Sequence, residues 1–182
     1  AKHSLYNIAE AIFEAGDEVI IPSPYWVSYP DQVLLNDATP VIVETTEAEG
    51  FRISAAKLEK AVTGKTKAIV VNSPSNPTGA VVEPDELLKI ARLARKHDFW
   101  LLYDDTYAHL VFRPGGPPAL QAVKDAADGR LVVVGTVSKT YCMTGWRVGW
   151  VMGPRALAEA CTALNSHSVQ GPATFSQVAA AE

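Results

Sequence analysis

The stretch Leu131-Val132-Val133-Val134-Gly135-Thr136-Val137-Ser138-Lys139 is followed, after a few residues, by Thr144-Gly145-Trp146-Arg147-Val148-Gly149-Trp150-Val151-Met152. The first part opens as an apolar, β-branched run of the kind that packs well on a pleated surface. The second predicts another strand over residues 146–152. A parallel return to the same sheet needs a dozen or more residues, usually a helix, and only a tight loop separates these two runs. The second strand is therefore expected antiparallel to the first, in a mixed sheet. Lys139 lies on the connection, between a strand and a Gly/Trp/Arg-rich turn, so its position is fixed from both sides.

Working outward, short apolar runs at 18–21, 41–43, 68–71 and 99–103 are bounded by turn residues and alternate with helical patterns. That alternation predicts an α/β fold with a largely parallel sheet. Leu5, Ile8, Ala9, Ile12 and Phe13 form one helical stripe near the start. Ser54 is placed to cap a short helix carrying Leu58, Ala61 and Val62, and Pro84 to open a helix with Leu87, Leu88, Ala91 and Ala94 inward. Pro154 opens a last helix bearing Leu157, Ala160, Cys161 and Leu164. Residues 114–118, rich in Pro and Gly, read as a surface loop.

The 182 residues suit one domain over 1–182. Sixteen basic and 20 acidic side chains give a net charge of −4 with the signs interspersed, which argues against a nucleic-acid or anionic-membrane surface. No apolar run approaches the roughly 20 residues of a membrane span. Cys142 and Cys161 fit neither a metal spacing nor a disulfide framework, so a cytoplasmic setting is expected. Neither end carries a helix-capping or helix-ending signal, and the expectation is a piece of a longer protein.

Ligands of open α/β sheets bind outside the carboxyl ends of the parallel strands. Trp26, Asn76, Asp104 with Tyr107, and Lys139 each follow a predicted strand, while Arg147 begins the antiparallel one at the same edge. An amine, a carboxylate, a phenol, a carboxamide, an arginine, the Thr136 hydroxyl and an indole are thereby collected. No His pair stands at metal-ligand spacing, and no Ser-His-Asp set is present; His3, His97, His109 and His167 are scattered. The set does match a phosphorylated, electron-withdrawing aromatic aldehyde. Pyridoxal phosphate needs a lysine for its imine, an acid facing its ring nitrogen and donors for its phosphate.

The strings Ser23-Pro24-Tyr25-Trp26, Asn72-Ser73-Pro74-Ser75-Asn76-Pro77-Thr78-Gly79, Tyr103-Asp104-Asp105-Thr106-Tyr107 and 138–150 resemble those of class I/II aminotransferases of fold type I, in particular the bacterial aspartate aminotransferase-like subgroup. The resemblance covers nearly the whole chain. It implies the three-layer α/β/α large domain of the pyridoxal-phosphate-dependent transferases, with a mostly parallel mixed sheet, and a homodimer. Amino acid and 2-oxo acid substrates are implied with it.

By this resemblance Lys139 is the imine-forming lysine and the base that moves the substrate's proton. Asp104 pairs with the pyridine nitrogen, and Tyr107 and Asn76 donate to the ring oxygen. Trp26 stacks on the ring. Thr136, Ser138 and Arg147 bind phosphate, Arg147 by a bidentate grip, together with the helix N-terminus at Ala1 and Lys2. Asp105 is assigned no chemistry. No arginine matches the one that relatives use for the substrate's α-carboxylate. Relatives also have a strand beside 146–152, whose absence would leave that edge unpaired. The rival readings are another fold type I enzyme, such as a C–S lyase, a decarboxylating synthase or an aromatic or alanine aminotransferase, and a non-catalytic sensor domain of a transcription regulator.

Overall fold

The computed structural model describes residues 1–112 and 118–182. Among them, six strands form one sheet: β1 (Glu18–Ser23), β2 (Thr39–Glu44), β3 (Thr66–Asn72), β4 (Trp100–Asp104), β5 (Leu131–Thr136) and β6 (Gly149–Met152). Their spatial order is β2-β1-β3-β4-β5-β6. The first five are mutually parallel, and β6 runs antiparallel to β5 with Val133 opposite Met152 and Thr136 opposite Gly149. The mixed α/β sheet expected from residues 131–152 is present. Of the loop expected over 114–118, all but Pro118 lies outside the described residues.

The helices are α1 (Lys2–Ile12), α2 (Ser28–Leu34), α3 (Ala55–Glu59), α4 (Pro84–His97), α5 (Leu120–Ala127), α6 (Val137–Thr140), α7 (Arg155–Ser166) and α8 (Thr174–Ala181). Strand side chains alternate between faces, and each face buries its own cluster. Ile20, Ile69, Val71, Leu101, Tyr103 and Val133 pack against Leu58 of α3, Leu87, Ile90 and Ala94 of α4 and Val123 of α5. Val19, Ile21, Val70, Leu102, Val132 and Val134 pack against Leu5 and Ile8 of α1, Tyr29 and Val33 of α2 and Leu157 and Cys161 of α7. Helix, sheet and helix thus make three layers. Burying each large aliphatic side chain contributes about 1.5–3 kcal/mol, so the two clusters supply most of the cohesion.

Local signals account for several helix ends. Ser54 accepts the Lys57 amide at 3.3 Å and starts α3. Pro84 opens α4, whose last turn carries Arg95, Lys96 and His97 where the helix dipole favours cations. Helix α3 stops at Glu59, so Ala61 and Val62 lie beyond it, though both pack on the core. Helix α8 extends the chain beyond α7, which was expected to be the last. The segment before β6 also differs from expectation. Thr144–Trp146 forms a 3₁₀ turn that Arg147 ends at φ 57°, so the strand begins two residues after Arg147. The left-handed residue breaks the extended run that the apolar pattern predicted.

Strand β6 is the sheet's outer strand in the described residues, with Trp150 and Met152 about half exposed. No described helix is long and apolar enough to cross a membrane.

Two predictions follow from packing and charge. A Cβ on Gly149 would meet the Ala1 nitrogen and would stand 2.9 Å from the Gly135 carbonyl oxygen. Both neighbours are backbone and cannot swing aside, so Gly149→Ala should destabilise the protein by about 1–3 kcal/mol in urea denaturation. Asp105 follows β4 on the face of Tyr103, its Oδ1 buried without a partner. Burial lifts its pKa from 3.8 to about 6, against the pull of His109. The folded state then holds this proton more tightly than the unfolded chain, so the group's contribution becomes unfavourable as pH rises from about 4 through 6. Asp105→Asn should raise the melting temperature at pH 8, with the gain shrinking through pH 6 and vanishing near pH 4.

Candidate active site

Strands β1, β3, β4 and β5 end at one edge of the sheet, where the approach to β6 also lies. A cavity of about 220 Å³ at that edge is lined by Ala1, Lys2, Trp26, Tyr29, Asn72, Asn76, Asp104, Thr106, Tyr107, Thr136, Ser138, Lys139, Thr144 and Arg147. All ten residues singled out from the sequence line this one space. Its volume is below the roughly 300–1,000 Å³ usual for small-molecule sites, which suits one compact ligand. It shares Ala1, Lys2, Thr136, Ser138 and Arg147 with a wider groove of about 940 Å³ bounded by α1, β6, α7 and α8.

Asp104 ends β4 on the α1/α2/α7 face and is 4% exposed. Its Oδ2 accepts the Tyr29 hydroxyl at 2.6 Å, and its Oδ1 accepts the Thr106 amide at 3.1 Å. Asn72, at the end of β3, donates from Nδ2 to the Asp104 carbonyl at 3.1 Å and accepts the Asn76 amide on Oδ1 at 2.7 Å. One carboxamide therefore ties the Asn76 loop to the Asp104 backbone. The strand pleat explains the choice between adjacent aspartates, since Asp104 faces the cavity while Asp105 faces away with Tyr103.

Trp26 stands edge-on to Tyr29, with ring centroids 5.3 Å apart at 84°, and the Lys2 ammonium lies 5.0 Å from its ring. Lys139, on the last turn of α6, is exposed, and its ammonium lies 5.9 Å from the Tyr107 ring. Burial and then Asp104 raise the Tyr107 pKa, keeping the phenol a donor. Thr136 is buried and caps α6: its Oγ accepts the Ser138 amide at 3.2 Å and donates to the Val148 carbonyl at 2.6 Å. Arg147 is exposed and donates to the Thr144 carbonyl at 2.5 Å.

Four cavity residues carry no assignment from the sequence: Tyr29, Asn72, Thr106 and Thr144. Asn72 stands inside a quoted string, four residues before Asn76, and Tyr29 lies three residues beyond the string that ends at Trp26. Their hydrogen bonds depend on α2 and β3 meeting at β4, which no local pattern encodes. Thr106 is 9% exposed with its Oγ unpartnered. Among the described residues no cluster of three or more His, Cys, Asp or Glu could hold a metal.

Comparison with known proteins places this geometry in context. The family model Aminotransferase class I and II matches residues 1–182. The chain is 42% identical over 182 residues to the aspartate aminotransferase of Bacillus sp. (strain YM-2), covering all of this chain and 46% of that protein. It is 44% identical to the probable aspartate/prephenate aminotransferase of Rickettsia bellii, again over the whole chain and 46% of the relative. A solved structure of Thermus thermophilus aspartate aminotransferase with maleate superposes with a TM-score of 0.92 at 41% identity, covering 97% of this chain and 45% of that one. The chain spans a little under half the length of these relatives. It matches the family model from end to end and shares the fold of the solved relative: the chain belongs to the class I and II aminotransferases.

Proposed function

We propose that the chain is the cofactor-binding domain of a pyridoxal-phosphate-dependent aminotransferase, a single unit over residues 1–182, that moves an amino group between an aspartate-like amino acid and a 2-oxo acid. The observation carrying this reading is the single cavity in which Lys139, Asp104, Tyr107, Asn76, Trp26 and the Thr136/Ser138/Arg147 group meet. Aspartate-type relatives at 42–44% identity support the substrate class. Because one of them is named for prephenate as well as aspartate, a prephenate-like 2-oxo acid acceptor is a second substrate reading.

The donor set fits the cofactor. Pyridoxal phosphate supplies, when bound, an electron-withdrawing ring that stabilises negative charge developing at the substrate's α-carbon. Asp104, buried and held by two donors, would face the ring nitrogen with its carboxyl group fixed in place. Tyr107 and Asn76 would donate to the ring oxygen, and the Trp26 indole would cover the ring. Thr136, Ser138, Arg147 and the start of α1 at Ala1 and Lys2 would bind the phosphate, the helix through its free N–H groups. The bond from Arg147 Nη1 to the Thr144 carbonyl occupies one of the five guanidinium N–H donors. Lys139 would tether the cofactor and then move the proton at the α-carbon, for which its exposed position leaves it free to swing.

We place the protein in the cytoplasm as a homodimer. Unpaired Cys142 and Cys161 support the first. The second is supported by Trp146, Val169, Phe175 and Val178, apolar side chains exposed together around α8.

The test is reductive trapping in the full-length protein. Borohydride treatment with pyridoxal phosphate should label the peptide containing Lys139, and Lys139→Ala should abolish that label and lower kcat for aspartate by about 10²–10⁴-fold or more, the range of a general base. Labelling elsewhere, or retained turnover in the variant, would overturn the assignment.

A further inference from the structure

The carboxylate of Asp104 is oriented by a residue with no assigned part in the reaction. Tyr29 lies in the second position of α2, 75 residues away in sequence, and is 4% exposed. Its hydroxyl donates to Asp104 Oδ2 at 2.6 Å, shorter than the 3.1 Å bond from the Thr106 amide to Oδ1. Short bonds to ionised acceptors are the strong ones. With one donor on each oxygen and the backbone carbonyl pinned by Asn72, the carboxylate can neither rotate nor retreat. The same turn of chain holds Trp26, whose ring meets that of Tyr29 edge-on.

We propose that Tyr29 is a positioning residue for Asp104, holding the carboxylate at the angle at which it meets the cofactor's ring nitrogen, and coupling that angle to the placement of Trp26. The proposal rests on the cavity being the pyridoxal phosphate site. A phenol suits the task because burial, and then the neighbouring carboxylate, push its pKa well above the usual tyrosine value. It therefore remains a neutral donor across the working pH range, and the geometry it imposes does not titrate. An ordinary core tyrosine would satisfy its hydroxyl with a backbone carbonyl or water. Spending it on the most buried carboxylate of the cavity ties a packing residue to the charge that the chemistry uses.

The experiment compares the full-length protein with its Tyr29→Phe variant, which keeps the ring and removes only the donor, using pyridoxal phosphate labelled with ¹⁵N in the ring. Nitrogen NMR across pH reads the protonation of the bound ring directly. In Tyr29→Phe the ring nitrogen should lose its proton about one pH unit lower, and cofactor affinity and kcat should each fall about tenfold, the effect of one hydrogen bond to a charged group, with KM for aspartate within about twofold. Tyr29→His, which restores a ring-borne donor, should recover part of the shift and supplies the reading if Tyr29→Phe does not fold. A wild-type ¹⁵N titration in Tyr29→Phe with unchanged kcat would overturn the positioning role while leaving the aminotransferase reading intact. Failure of the parent protein to bind the cofactor would overturn both.

Discussion

The pairing of Thr136 with Gly149, where β5 and β6 run antiparallel, is the constraint on which the cavity depends. Because β6 returns beside β5, the connection between them stays at the sheet edge where the parallel strands end, and it carries Lys139, Thr144 and Arg147 with it. Thr136 reinforces the junction twice. Its Oγ caps α6 through the Ser138 amide and binds the Val148 carbonyl across the loop. Gly149 is needed because backbone closes on its α-carbon from both sides. A parallel β6 would have required a long crossover and would have carried Arg147 to the opposite edge.

The parts of this arrangement legible in the sequence are those governed by local period and punctuation. Apolar runs bounded by turns marked the strands, and Pro84 and Ser54 marked helix starts. The rule that ligands gather at strand carboxyl ends then brought ten separated residues to one place. Each step used a short-range signal plus one topological rule. The readings that failed were those needing an exact backbone angle. The left-handed turn at Arg147, which ends a 3₁₀ segment and shortens β6, has no glycine or asparagine to announce it. Helices α2 and α5, of seven and eight residues, are too short for a periodic pattern to stand out.

Hydrogen bonds spanning distant segments were not legible at all. Tyr29 and Asn72 both reach Asp104, from 75 and 32 residues away. A tyrosine on a helix face reads as core whichever atom its hydroxyl meets, and an asparagine before Ser-Pro reads as a turn former. Only the sheet order, which sets β3 beside β4 and lays α2 over their ends, makes them neighbours of the carboxylate. The positions most informative about chemistry are thus the ones that the linear pattern hides.

Asp104 and Asp105 show how this hidden layer separates two adjacent carboxylates. They are adjacent and chemically identical, and the more buried of the two is the better solvated by protein. Asp104 has donors on both oxygens and a third bond to its carbonyl. Asp105, more exposed, has a buried Oδ1 without a partner and is pushed up to about 6. Depth therefore does not by itself set the cost of a carboxylate; the supply of donors does. The pleat sends one aspartate toward α2, where Tyr29 waits, and the other toward the Tyr103 side, where the protein supplies too little. The carboxylate held fixed is the one where donors converge, and the neighbour that lacks them is a cost to stability that the fold tolerates.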